Sequence, residues 1–171
     1  MRRSKAFLLV ITIIFLLFTN VFAGTVKITY ETAELGAGRW EYTYDVMNIS
    51  LTEEIKEFTM WFDYGFYDNL AVSTPATPTG WDQIVWQVEP VLEDPGGYDA
   101  LATNLKIAMG TNLGGFSVTF DWLGIGEPGS QYYEIIDPVT FGTIESGYTV
   151  PEPTTCLLLL SGALLLRRRK I

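Results

Sequence analysis

The chain has 171 residues, a net charge of −9 and no histidine. The lack of histidine excludes Ser-His-Asp triads, Cys-His dyads and His-ligated metal centres. Residues 24–150 contain four basic residues, 19 acidic residues and no cysteine. The resulting charge of −15 repels nucleic acid, so we expect no nucleic-acid partner.

The N-terminus is predicted to be a signal peptide, residues 1–23. A basic stretch at residues 2–5 precedes an uncharged apolar run at residues 6–18, and the small residue Ala23 follows. This order of segments is typical of secretory signals. We therefore expect cleavage between Ala23 and Gly24 and export of the chain. An uncleaved membrane anchor is the alternative, and the shortness of the apolar run disfavours it.

The middle of the chain, residues 24–150, has the pattern of a single β domain. Strands are predicted over residues 26–30, 40–46, 58–62, 84–88, 105–109, 116–122, 132–136 and 139–144. Residues 51–58 suit a brief helical turn, and residues 145–149 are expected to link the domain to the C-terminal segment. Short strands with one polar face favour an all-β antiparallel β-sandwich, of jelly-roll or Ig-like topology, over a parallel sheet.

The tryptophans divide into a predicted core set and a predicted surface set. Trp40, Trp86 and Trp122 lie in register with apolar neighbours, so we expect them to be buried. Trp61 lies on the polar side of its strand, and Trp81 follows a turn. Both are therefore predicted to be exposed.

A group of exposed aromatic residues flanked by acids is a candidate glycan-binding site. Its predicted members are Trp61, Trp81, Tyr64 and Tyr67. Sugar-binding modules commonly present aromatic platforms to the faces of pyranose rings. The alternative is that these side chains pack in the core.

A calcium site is a second candidate. Glu93, Asp94 and Asp99 surround the turn at residues 95–97, and carboxylate oxygens on a turn suit Ca²⁺. The spacing is not that of an EF-hand, and an ordinary exposed acidic turn is the alternative. No other cofactor is expected.

Catalysis would have to rest on a pair of carboxylates, as in glycoside hydrolases. The chain has 20 acidic residues, so the sequence singles out no pair. We therefore expect a non-enzymatic protein, with glycosidase-type activity as the alternative.

The C-terminal segment, residues 151–171, has three parts. The tripeptide Pro151-Glu152-Pro153 comes first, and its prolines predict an extended segment outside any sheet ladder. The apolar run at residues 156–166 follows. As a helix it would reach about 16 Å, against roughly 30 Å of bilayer hydrocarbon. Four basic residues expected to stay cytoplasmic complete the segment: Arg167, Arg168, Arg169 and Lys170.

This order of motif, apolar run and basic tail resembles the PEP-CTERM sorting signal of Gram-negative bacteria. The resemblance covers residues 151–171 only. It implies recognition by an exosortase, a membrane-embedded cysteine-dependent processing enzyme, and a transient stage at the inner membrane. It also implies removal of the tail and delivery to the cell surface or to an exopolysaccharide matrix. An unprocessed C-terminal anchor is the alternative.

The sequence therefore predicts an exported surface or extracellular-matrix protein. Its β-sandwich is expected to have a structural or binding role, because the resemblance describes only how the domain is delivered. A carbohydrate-binding module for exopolysaccharide is the first alternative, and a glycan-active enzyme is the second.

Overall fold

Residues 24–152, the part of the chain that this computed structural model describes, form two five-stranded sheets packed face to face. All regular elements in this part are strands, which confirms the all-β sandwich expected from the sequence. Within it, no helix is long and apolar enough to cross a bilayer. The predicted signal peptide and C-terminal apolar helix lie outside the described residues.

The ten strands are divided equally between the two sheets. They are β1 (Val26–Gly36), β2 (Arg39–Asn48), β3 (Glu57–Phe62), β4 (Tyr67–Val72), β5 (Trp81–Trp86), β6 (Gly96–Ala102), β7 (Asn112–Trp122), β8 (Tyr132–Ile136), β9 (Thr143–Tyr148) and β10 (Val150–Pro151). Sheet 1 has the order β10-β1-β2-β7-β4, and sheet 2 has the order β5-β6-β3-β8-β9. All pairings are antiparallel except that of β1 with β10.

Aromatic rings join the two sheets across the core. Alternate residues of each strand point inward, so both sheets contribute one apolar face. The ring of Phe58 in sheet 2 meets the ring of Phe116 in sheet 1 edge to face, with centroids 4.8 Å apart. Within sheet 1, the rings of Tyr42 and Phe120 stack at 4.8 Å. Since large rigid rings fill the space between the sheets, the inward and outward faces of every strand are strongly specified.

A polar cluster centred on Gln131 interrupts this apolar core. The Gln131 side-chain amide donates hydrogen bonds to the hydroxyls of Tyr42 and Tyr67, the latter at 2.9 Å. Its carbonyl accepts one from the hydroxyl of Tyr44 at 3.3 Å, and Tyr42 also donates to the carbonyl of Gly129 at 2.6 Å. All these side chains are buried, and burial raises the pKa of Tyr42 and of Tyr44 well above the usual tyrosine value. The hydroxyls therefore stay protonated.

Most of the predicted strands are confirmed. The strands predicted at residues 26–30, 40–46, 58–62, 116–122 and 132–136 lie within β1, β2, β3, β7 and β8. The strand predicted at residues 84–88 starts three residues earlier, as β5. These segments share a clear contrast between an apolar and a polar face, which is why periodicity finds them.

Three local predictions were wrong. Residues 51–58 form no helical turn and residues 105–109 form no strand, because Ile55 and Ile107 make a single isolated bridge with two backbone hydrogen bonds of 3.0 and 3.1 Å. The strand predicted at residues 139–144 begins only at Thr143. The preceding residues form a turn, in which the carboxylate of Asp137 accepts a hydrogen bond from the backbone N–H of Val139 at 2.9 Å.

The C-terminal end of the domain also differs from the prediction. Residues 145–149 are not a linker, since β9 extends to Tyr148. Pro151 then joins the ladder, which its missing N–H was predicted to prevent. It occupies the edge of sheet 1, and the hydrogen bond to the carbonyl of Tyr30 comes from the backbone N–H of Glu152 at 3.0 Å. A proline is tolerated at the edge of a sheet because no ladder hydrogen bond is needed from its nitrogen there.

Candidate functional site

The outer side of sheet 2 carries a line of aromatic residues that crosses all five strands. Trp86 of β5 lies opposite Gly97 of β6, and Gly97 lies opposite Trp61 of β3. Trp61 lies opposite Tyr132 of β8, and Tyr132 lies opposite Tyr148 of β9. Directly opposed residues point to the same face of a sheet. We call these four aromatic side chains, with Gly97 between the tryptophans, the aromatic row.

The aromatic row faces solvent because its neighbours along the strands face the core. Met60 and Phe62, on either side of Trp61, are fully buried. By contrast, Trp86 is 37% exposed and Tyr148 is 65% exposed. The other two aromatic members are half-buried by their neighbours on the same face. The row is therefore an open platform and not an extension of the core.

The rings of the aromatic row associate in two pairs. The rings of Trp61 and Trp86 lie 5.5 Å apart at 74°, and those of Tyr132 and Tyr148 lie 5.5 Å apart at 61°. Both pairs have the edge-to-face geometry that aromatic quadrupoles favour. Gly97 makes the first pair possible, because the indole of Trp86 occupies the space that a Cβ at Gly97 would take.

Glu134 fixes the orientation of one ring of the row. Its carboxylate accepts hydrogen bonds from Nε1 of Trp61 at 2.9 Å and from the hydroxyl of Thr143 at 3.0 Å. A charged acceptor makes a stronger hydrogen bond than a neutral one. Trp61 is therefore held in one orientation by the domain itself.

A line of polar residues runs beside the aromatic row. Its polar members, in register, are Asp99, Thr59, Glu134 and Ser146, and the exposed Ile84 continues the line onto β5. The hydroxyl of Thr59 donates to the carboxylate of Asp99 at 2.8 Å. Burial raises the pKa of Asp99, although this hydrogen bond acts in the opposite direction. The platform is thus bordered by carboxylate and hydroxyl oxygens.

A third line on the same face adds further acidic groups. Asp82 and Glu57 both lie opposite Leu101, one on each side of β6. Burial raises the pKa of Glu57, and the negative charges of Asp99 and Asp137 raise it further. Glu57 therefore lies among carboxylates of the same charge.

Only one of the four residues predicted to bind glycan belongs to this platform. Trp61 lies in the aromatic row, as just described. The predicted exposure of Trp81 and Tyr67 was wrong, since they are 7% and 6% exposed. Trp81 points inward from the start of β5 and packs against Phe116 at 5.0 Å, and the Tyr67 hydroxyl bonds to the buried Gln131 amide. Tyr64 is half-buried against the core.

Trp86 was predicted to be buried and is instead a principal member of the platform. Apolar residues occupy both sides of β5, so periodicity gives no basis for choosing the inward face. Trp81, at the start of β5, is buried. Alternation along the strand then turns Ile84 and Trp86 outward. Trp40 and Trp122 are half-buried and pack against the core.

The three residues proposed as calcium ligands do not form a ligand set. Glu93 and Asp94 are exposed in the loop between β5 and β6, whereas Asp99 lies within β6 and is bonded to Thr59. Within residues 24–152, no group of three acidic, histidine or cysteine side chains is arranged to hold a metal ion.

A groove of about 480 Å³ lies near the turn between β8 and β9. Its lining includes Glu53, Glu54, Lys56 and Asp137. The pKa of the Asp137 carboxyl is lowered, chiefly by its hydrogen bond from the backbone N–H of Val139. Asp137 is therefore ionised at neutral pH and is a poor general acid, which a glycosidase requires beside its second carboxylate.

The residues of the predicted delivery signals are only partly described. Gly24 begins the described part of the chain, and Ala23 lies outside it. Pro151 and Glu152 lie along the edge of β1. Burial and then a hydrogen bond with Glu31 raise the pKa of Glu152. The remaining predicted signal residues lie outside the described part: Pro153, Arg167, Arg168, Arg169 and Lys170.

Comparison with known proteins gives likenesses of shape only. No family model matches the chain, and no curated protein does. Among solved structures, the chain is similar to a GH20 exo-β-N-acetylglucosaminidase from Vibrio harveyi, with 7% identity and a TM-score of 0.39 over 76% of this chain and 18% of that chain. It is also similar to a type I cohesin–dockerin complex, Coh-OlpA-Doc918, from Clostridium thermocellum, with 12% identity and a TM-score of 0.36 over 75% of this chain and 99% of that chain. The chain thus spans less than a fifth of the enzyme, and neither likeness bears on activity.

Proposed function

We propose that this chain is an exported surface protein whose β-sandwich binds polysaccharide through the aromatic row. The observation that carries the proposal is the alignment of four aromatic side chains in one register line across the exposed face of sheet 2. The two ring pairs add some stability to the sheet, but they do not require a continuous aromatic line facing water across all five strands. An exposed apolar line of this kind is typical of a ligand site.

The dimensions of the aromatic row suit a linear polymer. Neighbouring strands lie about 4.8 Å apart, so a row that crosses five strands is roughly 19 Å long. That length accommodates several consecutive sugar rings. The C–H groups on a pyranose face are weakly positive and pack against the negative face of an aromatic ring. Carboxylate and hydroxyl groups on the neighbouring line, such as Asp99 and Ser146, are available to accept hydrogen bonds from sugar hydroxyls.

Removal of the two tryptophans tests this proposal. We expect the variant Trp61→Ala/Trp86→Ala to lose about tenfold or more in polysaccharide affinity. Two rings at about 1 kcal/mol each exceed the 1.4 kcal/mol of a tenfold change. Affinity electrophoresis of the full-length protein in non-ionic detergent, through gels containing soluble polysaccharides, measures the loss. Phe141→Ala is the matched control, since it removes an 80% exposed aromatic ring from the turn before β9. Equal retention of the unaltered protein, the double tryptophan variant and Phe141→Ala would contradict the proposal.

The export and sorting of the protein are a separate part of the proposal. The signal peptide would direct export, and an exosortase would act at Pro151-Glu152-Pro153 during a stage at the inner membrane. The product would then reach the cell surface or an extracellular matrix. The order of motif, apolar run and basic tail supports this route.

Replacement of residues 151–153 by alanines tests the sorting route. We expect the variant to remain in the inner membrane with its tail attached, because the processing enzyme loses its motif. Cell fractionation and terminal peptide mapping by mass spectrometry provide the readout. Alanine replacement of residues 138–140, in an exposed turn, is the control and should not alter sorting. A motif variant that reached the surface without its tail would contradict this route.

A further inference from the structure

We propose that the polymer bound at the aromatic row is uncharged: a chain of neutral pyranose sugars without carboxylate, sulfate or phosphate groups. This inference rests on the proposed function and adds the substrate class. It follows from the charged side chains that share the outer face of sheet 2 with the row, which are all acidic.

Four carboxylates share the outer face of sheet 2 with the aromatic row. Asp99 and Glu134 lie in the line next to it, and Asp82 and Glu57 lie in the line beyond. Alternation along each strand places all of them on the side of Trp61. Two of the four already have partners on this face, because Asp99 accepts from Thr59 and Glu134 accepts from Trp61.

No basic residue in the described part of the chain opposes these carboxylates on the five strands of sheet 2. Lys27 and Arg39 belong to β1 and β2 of sheet 1, and Arg39 pairs with Asp121 at 3.0 Å. Lys106 lies in a loop, where it pairs with Glu54 at 3.5 Å. Lys56 precedes β3 and lines the groove near the β8–β9 turn.

An acidic polymer on this platform would meet uncompensated repulsion. The line that contains Asp99 and Glu134 lies two residues along the strands from the row, or about 7 Å, which is inside the screening length of about 8 Å at physiological ionic strength. Neutral sugars avoid this penalty. Their hydroxyl groups are also hydrogen-bond donors, which is what ionised carboxylates require, since such groups only accept.

Selective retention tests the inference. The full-length protein in non-ionic detergent is run through gels that contain neutral polymers (hydroxyethylcellulose, arabinoxylan, glucomannan) or acidic polymers (alginate, polygalacturonate). We expect retention by at least one neutral polymer, unchanged by added salt, and retention by neither acidic polymer. The variant Ile84→Lys/Ser146→Lys places two cations in the line beside the row. It should gain at least tenfold in alginate retention, whereas Val139→Lys/Phe141→Lys, with the same added charge in the distant turn, should not.

The outcomes separate this inference from the proposed function. Alginate retention by the unaltered protein that disappears in Trp61→Ala/Trp86→Ala would overturn the neutral class while leaving polysaccharide binding at the row intact. Failure of the two added lysines at residues 84 and 146 to change alginate retention would also overturn it, because charge would then not be the selecting factor. Retention by no polymer in either group would overturn the proposed function itself.

Discussion

Replacement of Gln131 by alanine is expected to lower the free energy of unfolding by about 2 to 4 kcal/mol. Each buried polar group left without a partner costs about 1 to 3 kcal/mol. The substitution removes the acceptor of the Tyr44 hydroxyl and the donor shared by Tyr42 and Tyr67. It also leaves a cavity where the amide was. Since small domains have a total stability of only about 5 to 15 kcal/mol, the loss should be conspicuous.

Urea unfolding of the full-length protein, followed by tryptophan fluorescence, measures this effect. Tyr67→Phe is the informative control, because it removes one hydroxyl and leaves Tyr42 bonded to the carbonyl of Gly129. We expect it to cost about 1 to 2 kcal/mol, because the Tyr67 hydroxyl has two hydrogen-bond partners, the Gln131 amide and the Tyr42 hydroxyl at 3.1 Å. Equal losses in Gln131→Ala and Tyr67→Phe would show that the amide is not the centre of the cluster.

Replacement of Gly97 by valine is expected to weaken polysaccharide retention as much as Trp86→Ala does. The valine side chain would occupy the space of the Trp86 indole, which must then leave Trp61. Overpacking of this kind also costs about 1 to 3 kcal/mol of stability. Affinity electrophoresis and urea unfolding of the same samples measure both consequences. Leu101→Val, another outward residue of β6, controls for a β-branched side chain in this strand.

The combination of Gly97→Val with Trp86→Ala makes this test specific. Once the indole is absent, the three atoms nearest to the valine Cβ are gone, so the double variant should be more stable than Gly97→Val alone. A coupling of about 0.5 to 3 kcal/mol is typical of residues in direct contact. If the two effects on stability were additive, Gly97 would have a general role in β6 and no particular role in placing Trp86.

The fold could be predicted where one face of a strand is polar throughout. In β2, Tyr42 and Tyr44 alternate with Glu41, Thr43 and Asp45, and the inward face was assigned correctly. In β5 the same method failed. Ile84 and Trp86 are as apolar as the inward residues, and only packing against the opposite sheet decides which set is buried.

The candidate site was less predictable than the fold. Trp61 was identified from the polar neighbours on its own strand. The rest of the platform depends on register between strands that are distant in the chain, which local sequence does not encode. Tyr148 meets Tyr132 only because β9 pairs with β8, and Trp86 meets Trp61 only across a glycine that had been assigned to a turn. The relevant signal was Gly97 itself, since a glycine within a strand often marks a close approach.

The parallel pairing of β10 with β1 sets how the domain would carry a mechanical load. At Val150 and Pro151 the chain runs in the direction of β1, towards its hairpin with β2, whereas Gly24 lies at the opposite end of the domain. The aromatic row lies at the hairpin end of sheet 2 too, because Phe62, next to Trp61, packs against Tyr42, which pairs with Thr32 in the half of β1 nearer the hairpin. A polymer held by the row and a surface joined beyond Glu152 would therefore pull on the same end. The pulling force would act between the two sheets at the end that carries the β1–β2 hairpin. The end of the domain that contains Gly24 would bear no force.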